Sequence, residues 1–185
     1  MIDEIQDDAD ERMGKTIEAL HTSLAKIRTG RANPSLLDAI LVSYYGNDTP
    51  LKQVASITVE DARTLAVAPW EKNLIPDIEK AILKSDLGIT PATSGDLIRV
   101  PLPALTEENR RDLARHAKQE AENAKIAVRN IRRDAIADVR ELVKEKEVAE
   151  DEARRAEERI QKLTDKRVAE IDAVLSAKEA DLMEI

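Results

Sequence analysis

The chain contains no cysteine and almost no aromatic residues. Trp70, Tyr44 and Tyr45 are the only aromatic side chains in 185 residues, and phenylalanine is absent. Without cysteine, the chain cannot form disulfides, use a thiolate nucleophile or hold a metal through sulfur. With so few aromatic rings, a core has to be built from Leu, Ile, Val, Ala and Met, which favours helices packed on helices over a β-sandwich.

Segments that target a protein to a membrane or anchor it there are also missing. The sequence begins with the acidic run MIDEIQDDADERMG, which has no apolar signal core. No run approaches the roughly 20 apolar residues that a membrane-spanning helix needs. We therefore expect a cytoplasmic protein with no membrane partner.

Catalytic motifs are equally scarce. His21 and His116 are the only histidines, and neither stands in a spacing typical of metal ligands. No G-x-x-x-x-G-K-[ST] loop is present that would cradle nucleotide phosphates. These absences predict a protein that is not an enzyme and that uses no metal or cofactor.

Charge is distributed unevenly along the chain. The formal net charge of −8 argues against a nucleic-acid partner. Residues 106–147, however, carry 11 basic and 10 acidic side chains, whereas residues 148–185 carry 7 and 11. A positively charged surface is therefore expected within 106–147, the one segment that is not net acidic.

Glycine and proline divide the chain into two parts. All five glycines and all seven prolines precede residue 104, so residues 104–185 contain neither helix breaker. A single straight helix of this length would extend about 123 Å. We therefore predict a helical hairpin that reverses around residues 148–152, where the apolar repeat is interrupted.

Apolar residues recur at steps of three and four in three segments, which is the pattern of amphipathic helices. The stripes include Ile5, Met13 and Leu24, then Ala117, Val128 and Val139, and finally Ile160, Ile171 and Leu182. Each helix offers one apolar stripe that it cannot bury alone. Residues 1–30 and 105–185 are therefore expected to form a three-helix bundle.

Residues 31–104 have a different pattern. Short β-prone runs AILVSYY, VASITV, TLAVAPW and DLIRVPL alternate with the turn signals GNDTP and ITPATSGD, and one helical segment covers about 74–85. We predict an α+β fold in which this small domain is inserted into the bundle. The two connections contain Gly30 and Arg31, and Pro101 and Pro103. They predict a directed hinge, because glycine frees the backbone and proline limits helix continuation.

The most informative cluster is VRNIRRDA at 128–135. With Val128 and Ile131 facing the core, Arg129 and Arg132 share one flank of the apolar stripe and Arg133 projects further outward. Arginine suits phosphate recognition because its planar guanidinium can bind two oxygens at once. The alternative is a solvated helix surface held by i,i+4 pairs to nearby carboxylates, which is the commoner origin of such a charge run.

A second signal, RTGRANP at 28–34, follows the first predicted helix. Its Arg28 and Arg31 could add phosphate contacts. The structural alternative is a helix C-terminus, where the helix dipole favours Arg28 and Gly30 supplies the residue that ends the helix.

Six longer segments stand in order along the chain: RTGRANPSLLD at 28–38, TVEDARTLAV at 58–67, KAILKSDLG at 80–88, IRVPLPALTEENRRDL at 98–113, VRNIRRDA at 128–135 and QKLTDK at 161–166. Together they resemble segments of the bacterial ribosome recycling factor family. The resemblance covers nearly the whole chain, and it implies a three-helix bundle with an inserted β/α/β domain.

The resemblance also implies a function. Members of the family act with elongation factor G, which hydrolyses GTP, to split post-termination ribosomes into subunits and to free mRNA and tRNA. The bundle is then expected to bind large-subunit ribosomal RNA and the inserted domain to meet elongation factor G, with the protein acting as a monomer. The implied RNA-contacting residues are Arg132 first, and then Arg129, Arg133, Arg28, Arg31 and Arg110.

Two positions depart from the family pattern. Trp70 takes the aromatic position of the usual Phe-Asp pair, which alters packing or the partner surface of the inserted domain. Ala149 stands where a serine often caps the last helix, so that helix is expected to lose some stability. A helical-bundle adaptor that binds another protein through its amphipathic helices is the alternative function.

Overall fold

The computed structural model describes residues 1–27 and 29–184, which divide into two compact units. One unit contains residues 1–27 and 107–184, and the other contains residues 29–106. Each unit has an apolar core of its own. None of the described helices combines the length and the apolar character needed to cross a lipid bilayer.

The described residues form four α-helices: α1 (Ile2–Ala25), α2 (Ile75–Lys84), α3 (Glu107–Lys144) and α4 (Glu150–Met183). Helices α1, α3 and α4 form the first unit, and each buries the apolar stripe that its sequence predicts. Met13 of α1, Val128 of α3 and Ile160 of α4 are all fully buried in one common core. The three-helix bundle therefore follows from the spacing of apolar residues, because no helix could hide its stripe from water alone.

The reversal between α3 and α4 lies at residues 145–149, a few residues before the predicted 148–152. Lys146 adopts a positive φ of 61°, and its N–H donates to the carbonyl oxygen of Val143 at 3.0 Å. The N–H of Glu147 donates to the carbonyl oxygen of Leu142 at 2.9 Å. This is the Schellman pattern, in which glycine usually occupies the left-handed position. Because lysine occupies it here, no residue type marked the turn in the sequence.

Arg167 of α4 ties two helices together from a half-buried position. Its Nη2 donates to Oδ1 of Asp10 on α1 at 2.5 Å, and its Nη1 donates to Oε2 of Glu170 at 3.0 Å. The hydrogen bond to Asp10 is the main cause that raises the pKa of Arg167 above its usual value. Gly14 of α1 lies beside this guanidinium, and a Cβ placed there would lie 3.6 Å from Nη2.

Replacing Gly14 with alanine is expected to raise the free energy of unfolding by about 0.5–1 kcal/mol, because alanine loses less backbone freedom than glycine in a helix interior. The added methyl makes only ordinary van der Waals contact with Arg167. Urea denaturation followed by circular dichroism measures the change. Gly95→Ala is the control with the opposite sign, because φ at Gly95 is +62° and a side chain there is strained. Destabilisation by both substitutions would contradict the prediction.

The second unit contains six strands: β1 (Leu41–Tyr44), β2 (Asn47–Pro50), β3 (Ala55–Asp61), β4 (Thr64–Pro69), β5 (Ala92–Ser94) and β6 (Leu97–Pro101). Strands β1 and β2 form an antiparallel hairpin, and the others form an antiparallel sheet in the order β3-β4-β6-β5. Ile78 and Ile82 of α2 share a buried core with Val67 and Ile98 of the sheet. The predicted fold class, a three-helix bundle with a small inserted domain of strands and one helix, is confirmed.

Strands β2 and β5 were not predicted. They lie within the segments GNDTP and ITPATSGD, which have the composition of turns. None of their residues is fully buried, and each strand pairs with one neighbour only. Because a strand without a buried face has no apolar alternation, its sequence cannot be told from that of a loop.

Both chain ends of the second unit are held by one turn. The N–H of Ala32 donates to the carbonyl oxygen of Ala62 at 2.7 Å. The N–H of Leu102 donates to the carbonyl oxygen of Arg63, also at 2.7 Å. Ala62 and Arg63 form the turn between β3 and β4. The Asp61 carboxylate accepts the N–H of Arg63 at 2.9 Å, and this backbone hydrogen bond is the main cause that lowers the pKa of Asp61.

Candidate nucleic-acid interface

The segment VRNIRRDA lies in the second half of α3. Val128, Ile131 and Ala135 occur at spacings of three and four residues, and all three are buried in the bundle core. This placement fixes the neighbouring arginines by helix geometry, because successive residues are rotated by about 100°. Arg129 and Arg132 are half-buried beside the core, whereas Arg133 is exposed.

Arg132 makes its hydrogen bond to a neutral group on the neighbouring helix. Its Nη1 donates to Oε1 of Gln161 on α4 at 3.3 Å. The amide nitrogen Nε2 of Gln161 in turn donates to Oδ1 of Asp165 at 2.9 Å. An amide satisfies one N–H of the guanidinium without cancelling its charge. Arg132 therefore keeps its positive charge available to a ligand.

The other two arginines of the segment are little engaged. Arg133 has no hydrogen bond or ion pair with any residue that the structure describes. Nη1 of Arg129 lies 3.6 Å from Oε1 of Glu122, and the two side chains are 44% and 52% exposed. Such a solvent-exposed pair contributes between 0 and about 1 kcal/mol, so an incoming phosphate can displace it.

Arg132 and Arg133 border an open groove of about 730 Å³ between α3 and α4. Its lining includes two apolar residues, Ile136 and Ala137. The groove is lined by Arg132, Arg133, Ile136, Ala137, Arg140, Glu141, Lys144 and Gln161. We call this surface the α3–α4 groove. Four of its eight lining residues are basic and one is acidic, so it is a concave cationic surface on a chain whose net charge is −8.

The two basic residues that flank the segment on α3 are paired with carboxylates of α4. Nζ of Lys125 lies 2.6 Å from Oδ1 of Asp172, and Nε of Arg140 lies 2.8 Å from Oε1 of Glu157. These ion pairs join α3 to α4 above and below Arg132. Of the three arginines between them, Arg129 has only its exposed pair with Glu122, and neither Arg132 nor Arg133 has a carboxylate within ion-pair distance among the described residues.

Arg110 lies apart from this group. It stands 22 residues before Arg132 on the same helix, about 33 Å away along the helix axis. It also stands seven residues before buried Ala117, so it shares the direction of the core stripe. Its Nε atom is buried without a hydrogen-bond partner among the described residues. The structure thus places Arg110 at the end of the bundle core.

The remaining predicted site residues are distributed around the two connections. Arg28 lies outside the described residues, and Arg31 is an exposed residue of the second unit. Of the predicted hinge residues, Gly30 belongs to the second unit. Pro101 is the last residue of β6, where it is paired with Thr64, and Pro103 follows two residues later.

Sequence reasoning missed Gln161 and Lys144 as parts of the groove. Gln161 stands in QKLTDK, a segment that carried the family resemblance but no charge signal. Its nearness to Arg132 depends on how α3 and α4 pack against each other, which the periodicity of either helix does not specify. Among the described residues, no group of three or more His, Asp or Glu side chains is arranged to hold a metal ion.

The chain matches known proteins along its whole length. A sequence model described as ribosome recycling factor matches residues 20–183. The chain belongs to the ribosome recycling factor family. Ribosome-recycling factors from Saccharophagus degradans, Marinomonas sp. and Legionella pneumophila are 62%, 61% and 60% identical to it over 185 residues. In each case the alignment covers 100% of both chains.

Solved structures of family members have the same fold. The solution structure of a ribosome recycling factor is 40% identical, has a TM-score of 0.71, and is matched over 100% of this chain and 98% of that one. The T. thermophilus ribosome recycling factor has been placed together with E. coli elongation factor G on the E. coli post-termination complex. That factor is 44% identical, has a TM-score of 0.62, and is matched over 100% of both chains.

Proposed function

We propose that this ribosome recycling factor binds large-subunit ribosomal RNA through Arg132, Arg129 and Arg133 at the α3–α4 groove. With elongation factor G and GTP, it then splits post-termination ribosomes into subunits and releases mRNA and tRNA. The bundle, residues 1–30 and 105–185, is the RNA-binding domain, and residues 31–104 form the inserted domain. This reaction takes place in the cytoplasm, where the ribosomes are.

The observation that carries the RNA-binding proposal is the accessibility of these guanidinium groups. Arg133 has no partner among the described residues, Arg132 is bound by a neutral amide, and Arg129 has only an exposed ion pair. RNA offers a dense row of phosphate oxygens that suits such a cluster. Because the rest of the chain is net acidic, repulsion disfavours other orientations of the bundle against RNA.

The role of elongation factor G is supported by the solved complex that contains a family member together with that factor. In this proposal elongation factor G hydrolyses the GTP, and this chain contributes binding energy and a rigid bundle. The chain is therefore not an enzyme, and it acts as a monomer without a metal or cofactor. The inserted domain, in which Trp70 is 67% exposed, is the part that meets the elongation factor.

A hinge between the two domains is part of the proposal. The hydrogen bonds of Ala32 and Leu102 to the β3–β4 turn support it, because they hold both connections to one rigid turn. The bend is then confined to the residues outside these two bonds, which include Gly30, Arg31 and Pro103. Nuclear spin relaxation would contradict this proposal if the two domains reoriented independently and isotropically.

The experiment that tests the function is a subunit-release assay. Post-termination ribosomes are incubated with this protein, with and without elongation factor G and GTP, and then separated by sedimentation. We expect free subunits only when all three components are present. A protein that ignored ribosomes but formed a stoichiometric complex with another protein would instead support the adaptor function.

A further inference from the structure

Gln161 connects Arg132 to a carboxylate that lies one turn further along α4. The hydrogen bond from Nη1 of Arg132 to Oε1 of Gln161 spans 3.3 Å, and that from Nε2 of Gln161 to Oδ1 of Asp165 spans 2.9 Å. Gln161 and Asp165 are one helical turn apart, and Gln161 lines the α3–α4 groove. The arrangement is a relay in which α4 holds a side chain of α3.

The two partners of Gln161 determine the orientation of its amide. A guanidinium only donates hydrogen bonds, so it requires the amide oxygen, and an ionised carboxylate only accepts, so it requires the amide nitrogen. Turning the amide by 180° would place two donors together at Arg132 and two acceptors together at Asp165. Asp165 therefore keeps the oxygen of Gln161 directed at Arg132.

We propose that Gln161 is a positioning residue for RNA binding, which holds the guanidinium of Arg132 at the edge of the α3–α4 groove before a phosphate arrives. The inference rests on the proposed RNA-binding function and adds a residue to it. The amide oxygen of Gln161 is bound to Arg132 and its nitrogen donates to Asp165, so the proposed effect of Gln161 on binding passes through Arg132.

The physical advantage of this arrangement is preorganisation. An arginine side chain has many rotamers, and fixing it during binding costs conformational entropy. A partner that already restricts the side chain removes part of that cost. A neutral amide suits this role better than a carboxylate would, because a carboxylate would compete with the phosphate for the same guanidinium.

The direct test is the binding of purified large ribosomal subunits by full-length variants across a range of salt concentrations. Gln161→Met keeps the length of the side chain but makes no hydrogen bond with Arg132. We expect it to weaken binding about threefold to tenfold, with an unchanged salt slope, because the number of phosphate contacts is the same. Gln161→Glu is expected to weaken binding further and to lower the salt slope by about 1, because it occupies Arg132 with a carboxylate.

The matched control is Gln119→Met. Gln119 is an exposed residue of α3 whose Nε2 donates to Oδ1 of Asn123 at 3.0 Å, with no arginine involved. This variant is expected to bind subunits as the parent protein does. Equal weakening by Gln119→Met and Gln161→Met would overturn the inference.

A double-mutant cycle separates positioning from a general structural role. In an Arg132→Ala background, Gln161→Met should cause no further loss of binding, because its effect passes through Arg132. The same fold loss in both backgrounds would overturn the inference. Nitrogen-15 relaxation of the Arg132 side chain in the free protein gives a second measurement, and its order parameter should fall in Gln161→Met.

The cycle also distinguishes failure of the inference from failure of the proposed function. If Arg132→Ala itself bound subunits as tightly as the parent protein, RNA binding through Arg132 would be wrong. If Arg132→Ala weakened binding but Gln161→Met did not, only the positioning role would be wrong. An unchanged Arg132 order parameter in Gln161→Met would contradict the positioning role without any ribosome present.

Discussion

Replacing Ile160 with alanine is expected to lower the free energy of unfolding of the bundle by about 2–5 kcal/mol. Ile160 is fully buried on α4, within the core that all three long helices share. The substitution removes apolar contacts and leaves a cavity that three rigid helices cannot close completely. Urea denaturation followed by the circular dichroism signal, which comes mainly from these helices, measures the loss.

Ile126→Ala is the matched control for this prediction. Ile126 is 47% exposed on α3, so its truncation removes less contact area and creates no internal cavity. We expect a change of about 1 kcal/mol or less. Similar losses for Ile126 and Ile160 would mean that the buried stripe does not carry the stability of the bundle.

Arg132→Glu is expected to weaken binding to large ribosomal subunits about 100-fold at low salt. The substitution removes hydrogen bonds from a charged donor, each worth about 1.5–3 kcal/mol, and places a negative charge beside the phosphates. The difference from the parent protein should shrink as salt rises, because salt screens the repulsion. Filter binding at several salt concentrations measures both effects.

Lys15→Glu is the control for net charge. It changes the charge of the protein by the same amount, but on the exposed side of α1, where Lys15 is 69% exposed. Lys15 stands one turn from Glu11, so the substitution replaces a favourable i,i+4 pair with a like-charge pair, which costs the helix roughly 0.5–1 kcal/mol. If this variant lost as much binding as Arg132→Glu, net charge would explain the effect, and a specific role for Arg132 would be wrong.

The bundle could be predicted from the sequence because its signals are local. A stripe such as that through Met13, Val128 and Ile160 is set by spacing within each helix, and the absence of glycine and proline after residue 103 allows long helices. The turn at Lys146 was misplaced by a few residues because its left-handed position is occupied by an ordinary side chain. Strands β2 and β5 were missed because none of their residues is fully buried, so neither strand shows apolar alternation.

The candidate site was predictable to a similar extent. Helical periodicity was sufficient to place Arg129 and Arg132 beside the core and Arg133 further outward, and the structure brings all three together on α3. Gln161 was not predictable, because its contact with Arg132 depends on the packing of α4 against α3. Arg110 stands in a segment that resembles the family, but it lies seven residues before buried Ala117. Helical periodicity alone therefore places Arg110 on the side of α3 that faces the core.

The turn that binds both Ala32 and Leu102 has a consequence for how the bundle assembles. Helix α1 must find α3 across more than 80 intervening residues, a slow search if those residues are unstructured. Once the inserted sheet has formed, its two ends meet at adjacent carbonyls, and the effective tether shortens to about ten residues. An eightfold shorter loop lowers the entropy cost of closure by about 2 kcal/mol. The folded insertion thus shortens the search of α1 for α3. This favours a folding order in which the small domain forms first.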